Sequence, residues 1–241
     1  MMKNLLVFIT PEKKFSGKYI IEAKVQIDNS ISLGWKKEDI LIIANFKYTY
    51  HGVKAIVVGD EHYCAPRPRS IKTAIIPYLI DEGIIEPENL YWNHDFDAYQ
   101  LNSITEAELK LDGVDVGLTD YGWKERWNMG SFFIKKASKD IFEKAKPIIY
   151  QDIEDETVMM ELTTNPDIAK RCRRLNITYN LGMRNAESNW QKANKPLKVV
   201  HFHPYDRRMN TLDIFMYGKN ELHRPLITKR LIKIFNSHGV K

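Results

Sequence analysis

Cysteine is nearly missing from this chain. Its 241 residues hold two, Cys64 and Cys172, and neither sits in a CxxC pair. Two cysteines cannot form a disulfide framework, which excludes the small stapled extracellular scaffold. Free thiols in a reducing compartment are expected, and hence the cytoplasm. Long apolar runs are missing as well. Residues 5–9 are too few for a signal-peptide core and run straight into Pro11-Glu12-Lys13-Lys14. No run is long enough to span a bilayer, so a soluble protein with no transmembrane segment is expected. Internal repeats, low-complexity stretches and a clear linker are also lacking.

What is present is ordinary globular material. With 44% hydrophobic and 28% charged residues, the chain can bury a full core and is not disordered. At this length one domain with elaborations is the default. The net charge of +5 suits an anionic partner: a nucleotide, a phosphate-rich polymer or a membrane surface. It does not choose among them. The basic residues are spread rather than massed, and no nucleic-acid partner is expected. The densest group, Lys170-Arg171-Cys172-Arg173-Arg174, reads as one solvated face of a helix.

Three apolar runs, residues 5–9, 39–46 and 55–59, predict strands buried on both faces, as in a parallel sheet. Between the first two, Ile20, Ala23, Lys24, Ile27 and Ile31 follow helical spacing, with Ser16 as N-cap and Gly34 as C-cap. Ser70 would cap a helix that runs to Gly83, and Pro77 inside it predicts a kink or a break. Residues 90–92 form a β-prone run leading to Asp95 and Asp97. Residues 103–106 open a short helix in capping-box fashion. Residues 114–118 read as a further strand, 127–134 turn from a Gly-bearing loop into an apolar strand, and Ser138 caps the next helix. An acidic helix start follows at 152–156. Residues 197–204 form a last strand that emerges into a histidine-bearing loop, and 226–235 a basic amphipathic helix. The β-α-β order predicts an α/β fold: a mostly parallel central sheet flanked by helices, in a single domain.

The chemistry gathers around Asp95-Phe96-Asp97. If this stretch is extended, both carboxylates lie on one side and Phe96 turns into the core. Two like charges so close repel and need a cation, and hard divalent cations take oxygen ligands. Taken alone, such a triplet is more often a solvated loop than a metal site. The strand order adds weight, because ligands of open α/β sheets bind at the carboxyl ends of strands. That edge collects Thr10, Asn45, Asp95, Asp97, His201 and His203. In His201-Phe202-His203 the period of two lets both imidazoles face one side. The expectation is a divalent-metal site between the aspartates and the histidines.

The order of Asp95-Phe96-Asp97, Asn128-Met129-Gly130-Ser131-Phe132 and Val199-Val200-His201-Phe202 resembles that of metal-dependent GT-A-type glycosyltransferases. The chain looks most like the compact single-domain kind encoded by large algal viruses. The resemblance covers residues 5 to about 205 and rests on motif order, since no single motif is strong. It implies a Rossmann-like fold with a nucleotide-sugar-binding half over residues 1–100 and an acceptor-side half over 101–241. It implies transfer of a sugar from a nucleoside-diphosphate sugar, a UDP-sugar above all, to a glycan or glycoprotein acceptor. Mn²⁺ or Mg²⁺ would bind at Asp97 with His201 or His203, and Asp95 would bind it directly, through water, or lie nearer the ribose. Thr10 and Asn45 would meet the base and ribose, and Arg67, Arg69 and Lys72 the phosphates or the donor sugar. Asp155, with Asp120 in reserve, would be the catalytic carboxylate. One departure is the ending after His-Phe, here His203-Pro204-Tyr205, which leaves open which histidine binds metal. A nucleotidyltransferase is the main competing reading, but the loop PEKKFSG after the first strand carries one glycine where that class uses a glycine-rich loop. A glycan- or nucleic-acid-binding module would give no reason for aspartates facing histidines.

Overall fold

The computed structural model describes residues 1–122, 125–183, 186–202 and 226–239. An eight-stranded sheet runs through the molecule in the order β3-β4-β2-β1-β5-β8-β7-β9. The strands are β1 (Met2–Phe8), β2 (Ile40–Ala44), β3 (Thr49–Tyr50), β4 (Val53–Val57), β5 (Leu90–His94), β7 (Val116–Thr119), β8 (Ser131–Ile134) and β9 (Cys172–Leu175). Only β3 and β8 run against the rest. A second, three-stranded sheet joins β10 (Leu181–Gly182), β11 (Val199–His201) and β6 (Ala98–Gln100). The mostly parallel, helix-flanked α/β fold read from the sequence is the one observed.

The runs at 5–9 and 39–46 become central strands because both of their faces are covered; the run at 55–59 departs from that expectation, because β4 lies beside the short edge strand β3 and leaves Val57 52% exposed. In β1, Leu5 and Val7 join one core layer, with Ile71, Ile75 and Leu79 of α2 (Ile71–Ala74) and α3 (Ile76–Asp81) and the segment between them. Leu6 points the other way, onto Ala23 and Ile27 of α1 (Lys18–Ser32). This is the two-residue alternation of a strand. β5, β7 and β8 are buried along their whole length. Trp92 and Phe133, fully buried there, each contribute roughly 1.5–3 kcal/mol. Pro77 breaks the helix as expected: α2 ends at Ala74 and α3 restarts with the proline in its first turn, where its missing N–H costs nothing.

Some local expectations fail for identifiable reasons. The basic group at 170–174 lies mainly on the edge strand β9, not on a helix. Arg171, in the turn just before β9, bonds Asp115 at 2.7 Å and Asp140 at 2.7 and 2.8 Å. Charge on an edge strand discourages pairing with another chain. Ser70 does not cap α2; its Oγ accepts the backbone N–H of Asp155, 3.2 Å away. In α4 (Glu106–Leu109) the capping side chain is Thr105. α1 begins at Lys18 with Gly17, not Ser16, in the N-cap position. Its Ile20 is exposed, while Glu22, Gln26, Asn29 and Ser30 are buried. The C-terminal helix (Leu226–Ser237) buries Leu231 and Phe235 against Val25, Tyr99 and Val200. No helix of the described residues is long and apolar enough to cross a membrane.

Candidate active site

β5 and β6 are joined by a tight turn that carries Asp95, Phe96 and Asp97. The turn closes through the Ala98 N–H to the Asp95 carbonyl at 3.0 Å. The aspartates converge through this turn rather than through an extended strand, which corrects the expected geometry. Phe96 is buried against Phe8 and Phe15, as the spacing predicted. Gln26 of α1 pins the turn, donating to the carbonyls of Phe96 and Ala98, both at 2.8 Å. His94 pins it from below: its Nδ1 lies 3.0 Å from the Asp95 carbonyl and 3.1 Å from that of Ala98. Its ring stacks on Trp92 with centroids 3.7 Å apart. Burial lowers the His94 pKa to about 3, and the ring serves as a strut.

β11 pairs antiparallel with β6, which places His201 opposite Ala98. His201 Nε2 stands 3.2 Å from Asp97 Oδ1 and 3.6 Å from Asp95 Oδ2. One ligand atom from each of the three lies within 4.8 Å of the others. His201 Nδ1 faces Asn180 Oδ1 at 3.1 Å, and Asn180 donates its amide N–H to the Asn128 carbonyl at 3.0 Å. That second bond fixes which end of the amide meets the ring. Nδ1 therefore carries a proton, and Nε2 points at the two carboxylates. Three electron-rich atoms facing one another call for a cation or a proton between them. A ligating histidine characteristically donates its other N–H in just this way. The donor set of two carboxylate oxygens and one imidazole nitrogen fits a divalent metal. His203 lies outside the described residues.

A cavity of about 280 Å³ opens over this cluster. Asp95, Asp97, His201, Lys72, Arg69 and Thr10 line it, so six of the residues singled out from the sequence share one space. Lys72 is almost wholly buried and bridges two carboxylates, Asp95 at 2.5 Å and Asp155 at 4.0 Å. Burial alone would strip its proton, but the two carboxylates outweigh it and hold the ammonium above its usual range. Burial likewise pushes the Asp95 carboxyl up, against the pull of Lys72.

Other sequence candidates stand elsewhere. Asn45 is a strut, receiving the Thr10 N–H at 3.1 Å and donating to the Thr10 carbonyl and to Asp60, both at 2.8 Å. Arg67 reaches Asp152, not the cavity wall, with its Nε 2.8 Å from the carbonyl and 2.9 Å from the carboxylate. Asp155 is buried behind Lys72 and accepts from Thr73 Oγ1 at 2.8 Å. Asp120 sits in a second cavity of about 380 Å³ with Arg174, Asn176 and Lys192, and pairs with Arg174 at 3.3 Å. β7 and β9 run parallel to each other and in the direction of β5, so both cavities open at the same edge of the sheet.

Among the cavity residues that escaped the sequence reading are Lys18 and Glu22 of α1. Their spacing of four, continued by Gln26 and Ser30, was the available signal. It was masked by the stronger apolar periodicity of Ile20, Ala23 and Ile27.

No protein-family model matches the sequence, and no curated protein matches it. Solved structures do match the fold. The chain is similar to the galactosyltransferase LgtC in complex with donor and acceptor sugar analogs, with a TM-score of 0.61 and 15% identity over 98% of this chain and 96% of that one. This is the GT-A fold. A glycosyltransferase involved in the glycosylation of the major capsid of PBCV-1 shares it, with a TM-score of 0.52 and 12% identity over 98% of this chain and 99% of that one. So does GlyE of Streptococcus pneumoniae TIGR4, with a TM-score of 0.58 and 14% identity over the whole of this chain and 65% of GlyE. At these identities the likeness is one of fold. In the GT-A frame of this chain, the aspartate turn follows the central strand β5 and the histidine ends β11.

Proposed function

We propose that this chain transfers a sugar from a nucleoside-diphosphate sugar, a UDP-sugar above all, to a hydroxyl of a glycan or glycoprotein acceptor. The observation that carries the reading is the meeting of Asp95, Asp97 and His201 in a cavity at the carboxyl edge of a GT-A sheet. These three residues would hold a divalent ion, and Mn²⁺ is favoured over Mg²⁺ because imidazole is softer than an all-oxygen set. When bound, such an ion supplies Lewis-acid neutralisation of the leaving pyrophosphate.

The chain's own residues do the rest. Lys72 and Arg69, on the cavity wall, offer fixed positive charge to the phosphates and the donor sugar. Lys72 stays charged because Asp95 and Asp155 flank it. Asp155 therefore acts through Lys72 as a positioning residue. Thr10 lines the end meant for the nucleoside, and Asn45 holds its backbone. Asp120, in the second cavity, is the carboxylate on the acceptor side, a candidate to take the proton of the acceptor hydroxyl. The first hundred residues thus serve the donor and the remainder chiefly the acceptor.

Incubation with UDP- and GDP-sugars and Mn²⁺, followed by release of the nucleoside diphosphate, tests the reading. Turnover should depend on added metal and vanish in Asp97→Asn with the fold intact by circular dichroism. Full turnover in that variant, or no release from any donor, would overturn it.

A further inference from the structure

The buried face of α1 is unusually polar. Lys18, Glu22, Gln26 and Ser30 follow one another at intervals of four, so they form a ladder along one side of the helix. Its lower rungs are spent on the protein itself. Ser30 Oγ receives the Asn4 amide at 2.9 Å and donates to the Gln26 carbonyl at 2.7 Å. Gln26 holds the carbonyls of Phe96 and Ala98, and neighbouring Asn29 holds that of Gln100 at 2.8 Å. The upper rungs are not so used. Lys18 and Glu22 pair with each other at 3.3 Å and line the cavity. The Glu22 carboxylate is only 11% exposed. A carboxylate so buried, with one exposed lysine for a partner, is costly unless a ligand completes it.

Its place along the cavity decides what that ligand offers. Asp97, His201, Arg69 and Lys72 line the same cavity, and so do Phe8, Thr10 and Tyr19, where β1 ends and α1 begins. Both Glu22 and Lys18 feel the charge of Asp97. A nucleoside-diphosphate sugar has its parts in the order base, ribose, diphosphate, sugar. With the diphosphate over Asp97, the base against Phe8 and Tyr19 and the sugar near Arg69 and Lys72, the part left for Glu22, which feels the charge of Asp97, is the ribose. Asp95 cannot serve the ribose freely, because Lys72 lies 2.5 Å from one of its oxygens and His201 3.6 Å from the other.

Resting on the function proposed above, we infer that Glu22 is a specificity-determining residue that grips the cis-diol of the donor ribose. Its two oxygens accept from the 2′- and 3′-hydroxyls, and Lys18 favours the charged form of the carboxylate. A carboxylate receiving two vicinal hydroxyls makes charge-assisted hydrogen bonds, each worth about a tenfold change in affinity. The site thereby selects ribonucleotide over deoxyribonucleotide donors.

The test is calorimetric binding of UDP, 2′-deoxy-UDP and 3′-deoxy-UDP in saturating Mn²⁺ to the full chain and to Glu22→Ala and Glu22→Gln. The unmodified chain should bind UDP about tenfold more tightly than either deoxy analogue. Glu22→Ala should bind all three alike, and Glu22→Gln should keep only part of the preference. Glu22→Gln has nearly the native shape, which guards against loss of fold in the alanine variant. UDP binding with full discrimination in both variants overturns the inference and leaves the proposed function standing. Failure of the unmodified chain to bind any of the three overturns both.

Discussion

Gly130 lies flat against the His201 ring: a Cβ at that position would fall 1.8 Å from His201 Cε1 and 2.3 Å from Nδ1. Gly130 also receives the Asp95 N–H on its carbonyl at 3.0 Å, so one residue touches both walls of the cluster. Contacts that short do not occur, and the ring cannot retreat without leaving Asn180. Gly130→Ala should therefore displace His201 and weaken Mn²⁺ binding by about tenfold or more, the range for a disturbed ligand surround. Titration of Mn²⁺ by calorimetry or electron paramagnetic resonance reads this directly. Unaltered affinity would mean that His201 is not a ligand.

Asn180 sets the tautomer of the same ring. Asn180→Leu removes the acceptor for Nδ1–H and leaves a buried donor unpaired, at a cost of about 1–3 kcal/mol. It should also lower metal affinity about 10- to 100-fold. Paired urea denaturation and Mn²⁺ titration distinguish the two effects. A stability loss without any loss of metal affinity would reduce Asn180 to a packing residue.

Gln26 reaches the aspartate turn from a helix far from it in sequence. Gln26→Leu deprives two buried carbonyls of one shared donor and should cost about 2 kcal/mol of stability. The freed turn should also bind Mn²⁺ less tightly, a readout that a merely structural residue would not move. Urea denaturation and metal titration of the same sample check both.

Much of the fold was legible because apolar runs of five or more residues have few alternatives to a doubly covered strand. Residues 5–9 are of this kind, and Pro77 announced its break. The site was legible as far as Asp95, Asp97, Lys72, Arg69, Thr10 and His201. What escaped depends on tertiary contact. Nothing local marks Arg171 as the anchor of the turn before β9, because its partners are Asp115 and Asp140. Asp155 kept the helix-start position foreseen for it, yet Thr73 and Lys72 draw it inward, away from the cavity wall. The ladder on α1 was hidden for a different reason: an apolar stripe was assumed to mark the buried side, whereas the turn it faces offers bare carbonyls and rewards amides.

Glu22 should give the apo protein a pH signature. Burial raises its pKa from 4.5 to about 7; Asp97 and Asp95 add to the rise and Lys18 opposes it. An acid whose pKa is raised on folding holds its proton longer in the folded state. Its contribution is thus intact below about pH 4.5 and lost as pH rises towards 7, by up to about 3 kcal/mol. Glu22→Gln cannot ionise, so in the absence of metal and nucleotide it should melt several degrees above the unmodified chain at pH 8 and match it near pH 4.5. Thermal melts at the two pH values check the sign, and a lower melting point for the variant at pH 8 would contradict it.

The most direct test of the central claim is calorimetric titration of Mn²⁺ into the chain with UDP present, compared with Asp97→Asn. One Mn²⁺ per chain is expected, with affinity at least about tenfold weaker in the variant, since a carboxylate ligand is lost while the turn keeps its shape. Equal affinity in the two proteins, or no Mn²⁺ binding to the unmodified chain, would show that Asp95, Asp97 and His201 meet for some purpose other than holding a metal.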